Sequence, residues 1–316
     1  MRATAFNMSN AQVLKSAESV SFKDFLWPAL LAGSCLVAYI PTVSGLIDGP
    51  WQTEQEGHGP LIIAAALWLA WRSYRKLQAT AITTSRPAPI AGWITLLLGL
   101  ALMFLARTQG VLTVEAFSII PVISGCVLLA GGWSTLRVFA FPIGFLLFAV
   151  PLPDWLIDAA TVPLKVFISD VVTRTLYAAG FPIAQNGVMI MIGSYQLLVK
   201  DACSGMNSIV ALSAIGVFYV HEFRRQEKIR SLLLLASIVP ITIAANFIRV
   251  ITLVLTAYYG GVDLLETLHD LTGIGLFVVA VILLFLFDLV LSLFIVLAGM
   301  LLRRTRPARV AIAQET

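Results

Sequence analysis

The stretch SLLLLASIVPITIAANFIRVITLVLTA, residues Ser231 to Ala257, carries a single charge, Arg249, in 27 residues. As a helix rising 1.5 Å per residue it extends about 40 Å, enough to cross the roughly 30 Å of hydrocarbon in a bilayer. Runs of this kind recur along the chain. Of its 316 residues 59% are hydrophobic and 12% charged, and the mean hydropathy is +0.91. A water-soluble domain carries about twice that share of charge. Soluble enzyme folds are therefore excluded, and the expected class is an all-α polytopic membrane protein.

Working outward from Ser231–Ala257, eight transmembrane helices are expected, near 25–46, 58–73, 90–106, 111–131, 137–152, 204–221, 231–257 and 273–302. The second is the weakest, its apolar part running only from Pro60 to Trp71. Residues 1–24 read as a polar cytoplasmic leader retained in the mature chain, 25–302 as one transmembrane domain and 303–316 as a basic cytoplasmic tail. An even number of spans puts both termini on one side, and 16 of the 21 Lys and Arg residues fall on that side. Only Arg107, Lys165, Arg174, Lys200 and Arg249 do not. By the positive-inside rule both termini are cytoplasmic, in the inner membrane of a bacterium. Asp48–Gly59, Pro151–Cys203 and Tyr258–Thr272 then face the periplasm. The net charge of +4 is scattered over separate short loops rather than gathered in a patch, so nucleic acid is not an expected partner.

The long outer segment has a pattern of its own. From Asp154 to Ala179 apolar residues such as Leu156, Leu164, Ile168, Val172 and Leu176 recur at helical spacing, with Asp158, Lys165, Asp170 and Arg174 between them. That is the pattern of a helix lying in the membrane interface. Val188–Ile192 and Tyr195–Val199 are β-prone runs around Gly193-Ser194, which predicts a short hairpin. It leads into Asp201-Ala-Cys203-Ser-Gly205 and the sixth span.

Three cysteines without CxxC spacing point to neither a disulfide framework nor a metal site. Cys35 and Cys126, in mid-span, read as apolar fillers. Cys203 opens a helix on the aqueous side, where the helix dipole favours a thiolate and a substrate can reach it. A thiol nucleophile calls for a base. Of the three histidines His221 is cytoplasmic, whereas His269 and His58 share the outer face with Cys203. Each also has a plainer reading as a capping or interface residue. Arg249, with Asn246 one turn before it, is a cation inside a span and needs a partner or a wet cavity. It reads either as a functional cation or as a structural one paired with an acid such as Glu115 or Asp288. Asp288 itself has no assigned role.

Taken together, Ala202-Cys-Ser-Gly205 opening a span, Asn246-xx-Arg249 in the next, His269 before the last and His58-Gly59 opening the second resemble the exosortase/archaeosortase transmembrane family. The hairpin and the Pro151-Leu-Pro153 lead-in add to the likeness, which runs over roughly residues 50 to 285. The resemblance implies a cysteine endopeptidase or transpeptidase of the membrane. Such an enzyme cuts exported proteins at a C-terminal sorting tail made of a short Pro-Glu-Pro type motif, an apolar helix and a basic end. It transfers them to a surface glycan or lipid acceptor. It further implies Cys203 as nucleophile, Arg249 as stabiliser of the substrate carbonyl and its oxyanion, and His269 as general acid/base. His58, Asn246, Asp201, Ser204 and Gly205 are possible supporting residues. No metal or cofactor enters this chemistry. The chain differs from common members in its polar leader and in carrying no appended soluble domain.

Other readings remain open at this stage. A transporter would line a path across the bilayer with Arg249 and Asp288 and would tolerate loss of Cys203. A scaffold leaves the buried arginine unexplained. An intramembrane serine protease would use Ser204 or Ser208.

Overall fold

The computed structural model describes residues 33–35, 37–53, 56–79, 86–198, 208–224 and 227–304. The leader, most of the tail, and Asp201, Cys203, Ser204 and Gly205 lie outside them. In chain order the structure has α1 (Ile40–Asp48), α2 (Gly59–Ala79), α3 (Pro89–Thr108), α4 (Leu112–Phe117), α5 (Ile119–Phe145) and α6 (Asp154–Ala178). Strands β1 (Ile183–Asn186), β2 (Met189–Ile192) and β3 (Tyr195–Leu198) follow, then α7 (Ser208–Phe223) and α8 (Lys228–Arg304). The chain divides into two compact units, one of Met1–Asp48 and Ala64–Leu147, the other of Gly49–Ile63 and Phe148–Thr316.

In the first unit α3 and α5 pack antiparallel through glycine. Gly92 faces Leu129, Gly99 faces Val122, and a Cβ on Gly125 would stand 2.6 Å from the backbone nitrogen of Leu96. Lipid tails are as apolar as leucine, so burying apolar surface between membrane helices gains little; close backbone approach across small residues supplies dispersion instead. Cys35 and Cys126 are half-buried beside the cluster of Tyr39, Leu96 and Val122. Polar groups in the unit satisfy one another. Arg107 donates to Glu115 Oε1 from Nε at 2.8 Å and from Nη2 at 2.6 Å, and Thr42 Oγ1 donates to the same oxygen at 2.6 Å. At Gly132 α5 is broken by φ 67°, ψ −166°, a region open essentially to glycine alone. The break falls in the predicted gap between 111–131 and 137–152.

The second unit has its core where α6, the sheet and α8 meet. Ile168, Val172 and Leu176 of α6 pack with Ile183, Ile190 and Ile192 of the sheet and with Val250, Leu253 and Val254 of α8. The predicted hairpin is present as β2 and β3, turning at Gly193 with φ 56°. The sequence reading missed β1, which pairs antiparallel with β2 and makes the sheet three-stranded, in the order β1-β2-β3. The segment expected to be helical is the helix α6, with Trp155, Phe167 and Tyr177 exposed. One correction concerns Lys165, assigned with the polar residues between the apolar positions: it is only 8% exposed, because it stands one turn from both Thr161 and Ile168 on the inward face.

Straight, the 77 residues of α8 would measure about 115 Å. They do not run straight, because Arg230 bonds Asp288 across 58 residues of chain, and Leu234, Ile238 and Ala245 share a core with Ala280 and Leu284. The chain doubles back at Gly261, where φ 74°, ψ −172° again excludes a side chain with a Cβ. The outer connection expected over Tyr258–Thr272 is thus helical on both sides of one glycine. Arg230 Nε donates to Asp288 Oδ1 at 2.7 Å, while Arg224 Nη2 and Tyr219 OH donate to Oδ2 at 2.9 and 2.8 Å. This carboxylate, which had no assignment, pins the two limbs together.

Among the described residues four helical stretches are long and apolar enough to cross a membrane: Pro89–Thr108, Leu112–Ala149, Lys228–Gly261 and Phe277–Leu297. The expected count of eight is not confirmed. Nine of the 22 residues of the first expected span lie outside the described residues. The second is diluted by Arg72, Arg75 and Lys76, and α7 is described over only 16 residues.

Asp288→Asn leaves Arg224 and Arg230 facing a neutral amide, and breaking a buried pair costs about 3 kcal/mol or more. The expected outcome is a clearly lower thermal midpoint in detergent, measured by dye-reported unfolding. Gly261→Ala should lower the same midpoint by forcing about 1–3 kcal/mol of backbone strain, whereas Gly110→Ala, at an exposed turn with open space around it, should perturb it less.

Candidate active site

Arg249 is 1% exposed and is the largest of the fully buried side chains among the described residues. It sits in the first limb of α8 beside Val250, which belongs to the core shared with α6 and the sheet. Counting along the helix, Arg249 stands about 28 Å from Arg230 and about 18 Å before the reversal at Gly261. Both acids weighed as structural partners for Arg249 are engaged elsewhere: Glu115 by Arg107 and Thr42, Asp288 by Arg224, Arg230 and Tyr219. Asn246, one turn earlier, is 3% exposed, and neither its amide nitrogen nor its oxygen has a hydrogen-bond partner among the described residues. Buried amides are almost always bonded, so an idle one next to a buried cation marks this turn of the helix as built for more than packing.

A cavity of about 210 Å³ lies in the same unit. Trp51, Glu56 and His58, from the segment entering α2, form one wall; Phe148 to Leu152 form another. The first turns of α6 contribute Leu156, Ile157, Thr161 and Leu164, and α7 contributes Ile209 and Val210. The walls are tied together by two bonds: Trp51 Nε1 donates to the Ala149 carbonyl at 3.4 Å, and the Leu152 amide donates to Glu56 Oε1 at 3.0 Å. Gly59 is required at the head of α2 because a side chain there would collide with the Trp51 ring. Ile209 lies six residues past Cys203, and Leu164 and Ile209 also pack against the core that holds the Arg249 turn. Thr161 is 8% exposed, and its hydroxyl has no hydrogen-bond partner among the described residues. Other helical threonines of the chain, Thr135, Thr175 and Thr252 among them, donate to the carbonyl four residues back.

Of the residues singled out from sequence, the structure thus describes the side chains of Arg249 and Asn246 at one turn of α8 and of His58 at the cavity wall. Cys203, with Asp201, Ser204 and Gly205, lies outside the described residues. His269 is described as backbone of the second limb of α8, eight residues past Gly261, and its side chain lies outside the description. Sequence reasoning missed Glu56, Trp51 and Thr161. The available signal was the string Trp51 to Gly59, rich in polar and aromatic groups immediately ahead of an apolar run; the convergence of that string with Pro151 and α6 is a tertiary fact that no local pattern carries.

A family model described as transmembrane exosortase matches residues 51–286, about three quarters of the chain. Searches of curated proteins and of solved structures find no match.

The idle Asn246 amide carries a stability prediction. Replacing a buried unsatisfied amide by an apolar group of similar shape removes a desolvation penalty of about 1–3 kcal/mol. Asn246→Leu should therefore keep or raise the thermal midpoint in detergent, and a marked fall would show that the amide has a structural partner.

Proposed function

The chain belongs to the transmembrane exosortase family, and from that premise we propose that it is a cysteine transpeptidase of the bacterial inner membrane, with its active site on the periplasmic face. The substrates are exported proteins that end in a sorting tail: a short Pro-Glu-Pro type motif, an apolar helix and a basic end. The observation that carries the reading is the extent of the match, residues 51 to 286, which takes in His58, Cys203, Asn246, Arg249 and His269 together. The burial of Arg249 within one turn of an idle Asn246 supports it.

In this mechanism the Cys203 thiolate attacks the scissile carbonyl carbon and forms a tetrahedral oxyanion. Arg249 holds that oxygen from a dry surrounding, where a fixed cation acts far more strongly than in water. The C–N bond then breaks, and His269 gives a proton to the departing amine of the tail helix. The thioester left on Cys203 is attacked by an acceptor amine or by water, which releases the thiol and completes the transfer. A substrate helix anchored in the bilayer brings its motif to the surface by geometry, so positioning supplies much of the rate. His58 and Asn246 orient the reacting groups. The transporter alternative asks for Arg249 and Asp288 along one path; Asp288 is instead bonded by two arginines and a tyrosine about 28 Å of helix away.

The test is cellular. A reporter ending in a sorting tail of the host is followed by gel shift beside wild type, Cys203→Ala and Arg249→Lys. Cys203→Ala should abolish processing at unchanged protein level, and normal processing in that variant would overturn the cysteine mechanism. Arg249→Lys should lower the processing rate by about a hundredfold or more, since an ammonium cannot reproduce the two-pronged guanidinium.

A further inference from the structure

We propose that the Trp68–Lys76 segment of α2 is a binding site for the headgroup phosphate of an anionic phospholipid of the bilayer, gripped by Arg72 and Arg75. The inference stands apart from the chemistry assigned to Cys203 and uses none of its residues. It starts from the face that α2 leaves open. Ala64, Leu67, Trp68, Trp71, Tyr74 and Arg75 recur at helical spacing and are exposed, while Ala66 and Leu69 are buried. Along the helix axis that face passes from aliphatic to aromatic to cationic. A bilayer leaflet passes from acyl chain to phosphate in the same order, and tryptophan gathers between the two.

The two arginines fold back along the helix. The Arg72 guanidinium lies over the Trp68 ring, 5.4 Å from its centroid, and the Arg75 guanidinium over Trp71 at 5.3 Å. Each reaches one turn back toward the apolar end, so the cations stand level with the indoles. The helix dipole favours cations at this end of α2, but it does not account for two that turn back over tryptophan rings. A guanidinium set over a ring keeps its N–H groups in the plane of its fork, the arrangement that takes two phosphate oxygens at once. Lys76 brings a third positive charge within five residues, and between Glu56 and Glu115 the sequence holds no acid. The complementary anion is one that the bilayer presents at the level where these arginines stand. An acidic protein segment would also answer the charge, but a phospholipid covers the cations and the Leu67 and Trp68 surface that continues from them.

The experiment takes the full chain purified in a non-ionic detergent and titrates it with phosphatidylglycerol, phosphatidylcholine or inorganic phosphate. Binding is read as the rise in thermal midpoint. Wild type should bind phosphatidylglycerol about tenfold or more tighter than phosphatidylcholine. Arg75→Gln should weaken that binding about fivefold, and Arg72→Gln with Arg75→Gln about thirtyfold. Arg72→Lys with Arg75→Lys keeps both charges and loses the planar forks, and should weaken it about tenfold. Unchanged affinity in that variant reduces the segment to diffuse charge and overturns the site. Arg174→Gln removes one exposed arginine from α6 and should leave the affinity as it is; a loss equal to that of Arg75→Gln overturns the proposal. Arg75 is exposed, so Arg75→Lys alone carries the same test if the double variants do not fold. Equal affinity for the two lipids, or saturation by inorganic phosphate at matching concentration, removes the lipid headgroup as occupant. A copurifying acidic protein that Arg72→Gln with Arg75→Gln releases, with no preference between the lipids, puts a protein on this face instead.

Discussion

One buried carboxylate sets the architecture of the second unit. Asp288 lies inside an apolar helix, where an ionised group is tolerated only with partners, and the side chains that reach it come from Tyr219 and Arg224 at the end of α7 and from Arg230 at the start of α8. That bonding fixes which residues of the two limbs stand level, and the level residues place the reversal at Gly261. Once the reversal is fixed, the far end of the first limb is fixed as well, and with it the height at which Asn246 and Arg249 stand.

The opposite end of the limb is held differently. There the sheet and α6 bury Ile168, Val172, Ile190 and Ile192 against Val250 and Val254, a core of the kind found in water-soluble proteins. Hydrophobic burial holds that core, whereas the limbs are held by a charge cluster and close packing. Arg249 lies where the two regimes meet. A cation buried there is dry enough to act strongly on a nearby carbonyl.

The sequence makes some of this legible and hides the rest for identifiable reasons. The apolar runs read correctly as helices because composition and period agree, and the turn at Gly193 is legible because a two-residue connection of positive φ asks for glycine. Strand β1 is not: Ile183-Ala-Gln-Asn186 has one strong strand former, and it is a strand because β2 offers an edge, not by its own preference. Arg224 and Arg230 were read as topology markers, which hides that they are the partners of Asp288. The inward face of Lys165 is a matter of helical phase that charge alone misassigns. The cavity is hidden altogether, since Trp51, Pro151 and Thr161 are separated by stretches of chain that reveal nothing of their meeting.

The Asp288 cluster also bears on how the chain enters the bilayer. Synthesis runs from Arg224 and Arg230 toward Asp288, so the arginines are in place before the aspartate emerges. Their long side chains can reach a nearby headgroup layer unaided, whereas a short aspartate inside a run such as Phe277–Leu297 has no such escape. The partner that can wait is made first, and the second limb of α8 enters the membrane against a neighbour already waiting for its charge.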